Sequence, residues 1–300
     1  MTGDEARAAA DGTEPTRDAP ADLRGRVFLV TGASTGIGRA VCEQLAARGA
    51  TLWLAGRSAQ RTAAARDQIA AATGNSRLRA LTLDLGDLDS VRRLARELLA
   101  ADEPLHCLIN NAGIAGPRGV SASGFEVHFG VNHVGTFLLT ALLCDRLRAS
   151  APARIVNVSS EAHRDAPGID WEAVRRPTRT LTGMREYGVS KLANILHARE
   201  LALRLAGDGV SACSVHPGVV ASDIWRRVPW PVRPLMKLRM ISPAEGARPV
   251  VHCATAPELP APGAYHVRMR PQRPGAAATD ELAAELWERS ESWVRPYANV

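Results

Sequence analysis

From residue 26 onward, short apolar runs alternate with longer stretches of helical spacing. RVFLVT (26–31) is apolar and rich in β-branched residues, and it ends at GASTGIG. RAVCEQLAARG (39–49) follows with apolar positions three and four apart and a closing glycine, Gly49. TLWLAG (51–56) reads as a second strand and RSAQRTAAARDQIAAATG (57–74) as an alanine-rich helix closed by Gly74. RALTLDL (79–85) is a third strand, and DLDSVRRLARELLAA (87–101) a helix with acidic residues in its first turn. LHCLINNAG (105–113) is a fourth strand and RIVNVSS (154–160) a fifth, separated by a long helical stretch from Phe125 to Arg148. A helix from Tyr187 to Leu205 leads to a sixth strand, VSACSVHPG (210–218). SPAEGARPVVHCAT (242–255) predicts another helix, GAYHVRM (263–269) a short last strand, and residues 278–292 a C-terminal helix.

Strands of this length alternating with helices imply βαβ units and a parallel sheet covered on both faces. The prediction is a single doubly wound α/β domain over 23–300, with a mainly parallel sheet of about seven strands flanked by helices. Residues 1–22 are rich in alanine, proline, threonine and acidic side chains, and are expected to form a disordered tail. Two segments break the rhythm. One is the long 161–186 connection. The other is IWRRVPWPVRPLMKLRM (224–240), with three prolines, two tryptophans and five basic residues. The prolines argue against a helix lying on an anionic membrane; as a substrate lid over 222–241, which the family resemblance drawn below implies, its apolar face would be Ile224, Trp225, Val228, Trp230, Leu235 and Met236.

Composition narrows the function classes. With 300 residues and 46% hydrophobic content, a sizeable core is available. The net charge of +6 is spread along the chain with no aromatic-studded basic motif, so no nucleic-acid partner is expected. The five cysteines, Cys42, Cys107, Cys144, Cys213 and Cys253, are odd in number, widely spaced and without a CxxC pair. They read as buried free thiols in a reducing compartment, not a disulfide framework or a zinc site. No apolar run reads as long enough to span a bilayer, and the expected location is the cytoplasm.

The candidate chemistry starts at VTGASTGIGRA. Gly32, Gly36 and Gly38 sit between a strand and a helix, the context in which glycines let backbone approach a pyrophosphate at a helix N-terminus. The spacing is G-x3-G-x-G, not the GxGxxG fingerprint, so a plain tight turn stays open as a reading. At the end of the second strand stands Arg57 and no acid. A guanidinium there suits a 2′-phosphate, which favours NADP(H) over NAD(H); a solvated surface arginine is the alternative.

TGASTGIG, NNAG (110–113), NVSS (157–160), YGVSK (187–191) and HPGVVASD (216–223) occur in this order. Together they make the chain resemble the short-chain dehydrogenase/reductase family over roughly residues 24 to 270. GFEVHFGVNHVGTFLLT, RIVNVSSEAH, SKLANILHARELALRL and HPGVVASDI bring it nearest to the retinol-dehydrogenase-like and WW-domain-oxidoreductase-like subgroup. The resemblance implies a Rossmann-type fold. It implies Tyr187 as general acid/base, Lys191 holding the nicotinamide ribose and, together with the positive nicotinamide ring, favouring the phenolate, and Ser160 bonding the substrate oxygen. Asn132 would support the lysine through a water. On the cofactor it places Gly32, Ser34, Thr35, Gly36, Ile37 and Gly38, then Asp84 and Leu85 at the adenine. Asn110, Asn111, Ala112 and Gly113 would line the cleft, and Pro217, Gly218, Val219 and Val220 the nicotinamide amide. Tyr187 and Lys191, one helical turn apart, would touch the cofactor too.

The implied activity is NADP(H)-dependent interconversion of a ketone or aldehyde and an alcohol, on a bulky, lipophilic or natural-product substrate. A non-redox reaction on the same scaffold, or a regulatory NADP(H)-binding protein, are the competing readings. No metal is expected; His133, His163 and His216 read as structural. Family members are commonly dimers or tetramers, so a homo-oligomer is compatible with the likeness. The chain departs from its subgroup at Thr136, where retinol-type enzymes commonly carry histidine, and in lacking an apolar N-terminal anchor. Retinoid activity is therefore not implied.

Overall fold

The computed structural model describes residues 22–220, 240–257 and 261–299. The tail of 1–21, and most of the 222–241 segment with all six apolar lid residues named above, lie outside the described residues.

One eight-stranded sheet organises the molecule, in the order β3-β2-β1-β4-β5-β6-β7-β8. The strands are β1 (Val27–Thr31), β2 (Thr51–Gly56), β3 (Leu78–Thr82), β4 (Cys107–Asn110), β5 (Ala153–Val158), β6 (Val210–His216), β7 (Tyr265–Val267) and β8 (Arg270–Gln272). All neighbours pair parallel except β7 with β8. The helices are α1 (Gly36–Ala47), α2 (Ala59–Thr73), α3 (Leu88–Ala100), α4 (Val127–Ala149), α5 (Met184–Arg204), α6 (Pro243–Thr255) and α7 (Asp280–Val294). Strand order reverses between β1 and β4, and a crevice opens there at the carboxyl ends of the strands.

Alternation along the strands sorts the core into two layers. Leu29, Trp53, Leu108, Ile155 and Ala212 face α3, α4, α5 and α7. Phe28, Val30, Leu52, Leu54, Ile109, Val156 and Val215 face α1 and α6. Strands buried on both sides need unbroken apolar runs, which is why the sequence shows them.

Two features differ from the sequence expectations, and a third extends them. The sheet has an eighth strand, because Arg268 and Met269 take positive φ (49° and 65°) and turn the chain back into β8. A two-residue turn of this kind normally announces itself by Asn or Gly, and here it does not. Second, α4 is long and apolar enough to cross a membrane by length and composition, contrary to the expectation that no segment is. It is a core helix in this fold, with 72% of its most apolar stretch buried inside the protein. Its run is broken in sequence by Asn132, His133, Thr136 and Thr140, all buried polar residues. Third, α7 lies over α5 and the start of α4. Trp293 meets Phe125 and Phe129 edge-on, and Trp287 meets Phe137. The outer apolar face of α4 and α5 is thus covered by the chain's own C-terminal helix.

Candidate active site

The glycine turn does what its spacing requires. Gly32 takes φ +68°, and a Cβ on it would lie 2.9 Å from Ala112 Cα. A Cβ on Gly38 would lie 2.4 Å from both Gly32 O and Asn111 Nδ2. Asn111 Nδ2 in turn donates to Thr31 O (2.8 Å), and Thr31 Oγ1 accepts from Ala112 N–H (3.0 Å). The turn after β1 and the loop after β4 are therefore locked face to face. Between them runs a cleft of about 410 Å³ lined by Gly32, Ser34, Thr35, Gly36, Ile37, Gly38, Arg57, Asp84, Leu85, Asn111, Ala112 and Gly113. Every residue assigned to the turn, the adenine side and the NNAG loop, apart from Asn110, is brought to one cavity. Asn110 is buried beneath it, donating to Thr140 Oγ1 (3.0 Å) and Asn157 Oδ1 (2.9 Å). Pro217 to Val220 do not line that cleft; Val220 forms a bridge with Ile241.

The cradle fits a dinucleotide. Small residues remove Cβ atoms where backbone must come close, and α1 starts at Gly36, pointing its free N–H groups into the cleft. Asp84 Oδ1 accepts from Gly86 N–H (2.9 Å), so it shapes the local turn as well as lining the cleft. Arg61 was missed by the sequence reading. It shares the cleft with Arg57, one turn into the helix whose N-cap is Ser58. The signal was present as a second arginine four residues after the first.

The proton-handling group sits beside the cleft. Tyr187 and Lys191 lie on one face of α5, both buried, with Lys191 Nζ 5.7 Å from the Tyr187 ring centre. Nζ donates to Val158 O at 2.9 Å. A Cβ on Gly113 would lie 3.1 Å from Nζ and 3.4 Å from Asn132 Oδ1, so the lysine, the asparagine and the cleft meet at that glycine. Asn132 stands in a π-helical turn, Gly130–Val134, inside α4. Its Oδ1 accepts from Ile114 N–H (2.8 Å), and its Nδ2 donates to Ile114 O (3.1 Å) and Ser190 Oγ (2.9 Å). A π turn re-aims one side chain without ending the helix. Ser160 caps a short 3-10 helix, Glu161–Asp165, accepting from Ala162 N–H (3.3 Å). Ser159 is the structural serine of the pair, donating to Lys191 O (2.7 Å).

In the protein alone, burial sets the electrostatics of this group. Burial pushes the Tyr187 phenol up to about 12, with a hydrogen bond from Ser160 working the other way. Burial also brings the Lys191 ammonium down to about 8. The phenolate is thus not favoured by the protein alone. The lowering expected for Tyr187 rests on the lysine together with the positive nicotinamide ring, and in the protein alone burial sets the direction.

The 161–186 segment has its own bonds. Glu186 accepts from the backbone N–H groups of Arg179 (3.0 Å) and Thr180 (2.9 Å) and from the Thr180 hydroxyl. Glu161 accepts from Tyr265 Oη at 2.6 Å and Arg164 Nε at 2.6 Å. A cavity of about 590 Å³ is lined by residues of 167–189 with Glu126 and Phe129, but by neither Ser160 nor Tyr187. Away from the site, the ligand atoms of Cys213, Cys253 and His266 lie within 4.8 Å of one another, a grouping the sequence spacing does not reveal. The two thiols there are hydrogen-bonded to each other. Four of the five cysteines are buried and all are free.

A glycine cradle at the switch point of a parallel sheet, beside a Ser–Tyr–Lys group, defines a dinucleotide-dependent oxidoreductase. Comparison with known proteins gives the family. The short chain dehydrogenase family model matches residues 26–173. Retinol dehydrogenase 12 of Mus musculus is 43% identical over 276 residues, covering 89% of this chain and 86% of that protein. Retinol dehydrogenase 13 of Homo sapiens is 39% identical over 281 residues, covering 90% and 85%. Among solved structures, an uncharacterised protein from Mycobacterium paratuberculosis superposes with a TM-score of 0.74 at 32% identity, covering 93% of this chain and 96% of that one. The Pseudomonas aeruginosa RhlG/NADP active-site complex superposes with a TM-score of 0.66 at 27% identity, covering 86% and 98%. The chain belongs to the short-chain dehydrogenase family, in its retinol-dehydrogenase-like subgroup. It is an oxidoreductase acting on CH–OH or C=O groups with NAD(P).

Proposed function

We propose that this protein is an NADP(H)-dependent oxidoreductase that interconverts a carbonyl and an alcohol on a bulky, lipophilic substrate, with Tyr187 as the proton donor and acceptor. The observation that carries the reading is the meeting of Tyr187, Lys191, Asn132 and the cleft around Gly113. The cleft residues would hold NADP(H), which when bound would supply or accept the hydride. Ser160 orients the substrate oxygen, and Tyr187 Oη gives that oxygen its proton in reduction and takes it back in oxidation. Lys191, fixed by Val158 O, offsets the negative charge left on Tyr187 Oη once its proton has gone to the substrate. Asn132 holds the loop at Ile114 through both its amide atoms and so fixes the floor beneath Lys191. Arg57 and Arg61 at the far end of the cleft suit a 2′-phosphate, which supports NADP(H) over NAD(H). The NADP complex of RhlG and the retinol named in the relatives point the same way on cofactor and substrate class. The reading places the protein in the cytoplasm, with no nucleic-acid partner.

Two variants test this. Tyr187→Phe should lower kcat about 10²- to 10⁴-fold while NADPH still binds. Turnover near wild type in that variant sinks the mechanism. The double substitution of Arg57→Ala and Arg61→Ala should weaken NADPH binding about 10- to 100-fold and leave NADH binding near its starting value, read by fluorescence titration. Equal loss for both cofactors would overturn the NADP(H) preference.

A further inference from the structure

A buried acid–imidazole pair stands against the tyrosine and is used by nothing described so far. Glu126 and His128 flank the start of α4, 2% and 0% exposed. Glu126 Oε2 accepts from the N–H groups of His128 (2.8 Å) and Phe129 (3.0 Å), so the carboxylate caps α4. Its Oε1 accepts from the Thr178 hydroxyl and faces His128 Nδ1 at 2.9 Å. His128 Nε2 faces the backbone N–H of Gly116 at 3.1 Å.

The tautomer follows from these partners. A backbone N–H only donates, so Nε2 must accept. The proton then sits on Nδ1 and points at the carboxylate, as in other acid–imidazole pairs that fix a ring's orientation. All four donors around Glu126 are thereby matched, and a buried carboxylate is tolerated.

The imidazole held this way is wedged among three pieces of the site. Its ring lies edge-on to Tyr187, centres 6.3 Å apart at 74°. A Cβ on Gly183 would lie 2.7 Å from His128 Cε1, so the residue that opens α5 must be glycine, at φ +68°. Gly116 belongs to the loop that continues the cofactor cleft, and Thr178 to the long 161–186 segment. Thr178 also ties back to Gly119, whose N–H it accepts at 3.1 Å. One side-chain pair therefore joins the cofactor-side loop, the substrate-side segment and the face of the tyrosine.

We propose that His128, locked in its Nδ1–H form by Glu126, is a positioning residue that sets Tyr187 relative to both the cofactor loop and the substrate segment. The inference rests on Tyr187 being the proton donor proposed above. His128 touches no reacting atom. It acts by restricting the Tyr187 ring, and a misplacement on the order of 1 Å at such a group costs about 10²-fold in rate.

The test is a double-mutant cycle on kcat, with NADPH affinity and thermal unfolding recorded for each variant. His128→Ala should lower kcat about 10- to 100-fold, with NADPH affinity within about 2-fold of wild type. His128→Gln, whose amide oxygen can still accept from Gly116 N–H, should recover part of the loss. In the Tyr187→Phe background, His128→Ala should add little, because its effect passes through the tyrosine. Equal losses in both backgrounds, or kcat unchanged in folded His128→Ala, would overturn the positioning role. Undiminished turnover in Tyr187→Phe alone would instead remove the reading on which it rests. If His128→Ala does not fold, Glu126→Gln takes its place. It should lower kcat and let the ring exchange tautomers in ¹⁵N NMR spectra, and a ring still locked on Nδ1 with kcat unchanged would be equally fatal.

Discussion

The two walls of the site are made in opposite ways. The cofactor wall works by leaving atoms out. Gly32 and Gly38 have no room for a methyl group that would not strike a neighbour, Gly113 leaves a Cβ only 3.1 Å from Lys191 Nζ, and the bonds that hold the turn are largely backbone or from the NNAG loop. The other wall, built on 161–186 and proposed above to face the substrate, works by adding polar side chains that reach across the chain. Thr178 bonds Glu126, Tyr265 bonds Glu161, and Gly275 N–H bonds His163 Nε2 at 2.9 Å. The first wall is a steric requirement carried by two short segments, 31–38 and 111–113, whose bonds join residues 80 and 81 positions apart. The second is a set of hydrogen bonds between residues 52, 104 and 112 positions apart. A steric wall should fail abruptly and take the cofactor with it, whereas a bonded wall should loosen by degrees.

The sharpest break of that comparison is Gly38→Ala. The added methyl would sit 2.4 Å from Gly32 O, which is backbone, and 2.4 Å from Asn111 Nδ2, which is pinned to Thr31 O. Neither neighbour can step aside cheaply. The variant should lose about 1–3 kcal/mol of stability and bind NADPH at least about 100-fold more weakly. Calorimetry and cofactor titration check both. A variant with wild-type affinity would mean that the turn is not the cradle.

The same contrast explains what could be read in advance. Apolar runs and closing glycines announce β1 to β6 and α1 to α5, because burial on both faces and helix termination each demand a residue type at a local spacing. The glycine turn of the cofactor wall was legible for the same reason, whereas Asp84, Leu85 and the NNAG loop came from the family resemblance, Arg61 was missed, and Pro217 to Val220 do not line the cleft. The hairpin at Arg268 and Met269 was not, since neither residue advertises the left-handed conformation it adopts. Nor was Glu126–His128, two unexceptional polar residues whose meaning comes from Gly116 and Thr178. The π turn at Asn132 was hidden too, because one extra residue in a helical turn leaves the apolar spacing almost unchanged. Tyr187 and Lys191 were found by their motif, but their desolvation, and so the direction of their shifts, depends on the packed fold.

Lys191 stands where the two walls meet and gives an intermediate effect. Its folded value of about 8 is below the ordinary 10.5, so between those values the unfolded chain holds a proton that the folded chain lacks. Stability from this group therefore rises with pH across that window. Below about 8 the burial cost is present in full. Lys191→Met removes it, while Asn194 Nδ2 continues to donate to Val158 O (3.1 Å). The variant should be more stable than wild type at pH 7 by about 1–3 kcal/mol, and the advantage should shrink by pH 10.5. Tyr187, with its raised value, and the buried thiols of Cys42, Cys107 and Cys213 titrate in both proteins, so the difference isolates the lysine. A difference that does not vary with pH would show that Lys191 is charged in the folded protein throughout.

The smallest effect is also the most selective between the walls. Glu161 and Glu186 both belong to the substrate wall. Burial pushes each carboxyl up, but hydrogen bonds outweigh it, from Tyr265 and Arg164 on Glu161 and from Thr180 and Arg179 on Glu186, and hold both below the ordinary 4.5. A depressed carboxyl contributes stability that is present above its unfolded value and lost as pH falls through its folded value. Acid should therefore release the substrate wall below about pH 4.5, while the cofactor wall, closed by backbone and by Asn111 and Thr31, holds on. Hydrogen exchange of folded protein stepped from pH 6 downward should show residues 161–165 and 178–186 losing protection before 32–38 and 111–116. Leu181, 84% exposed at the crest of the segment, gives pepsin an accessible site there once the loop loosens. Glu186→Gln keeps an acceptor but not the charge, so it should move the onset for 178–186 alone and leave 161–165 unchanged. Simultaneous release of both walls, or an onset indifferent to Glu186→Gln, would mean that the walls share one cooperative unit and differ only in how they are built.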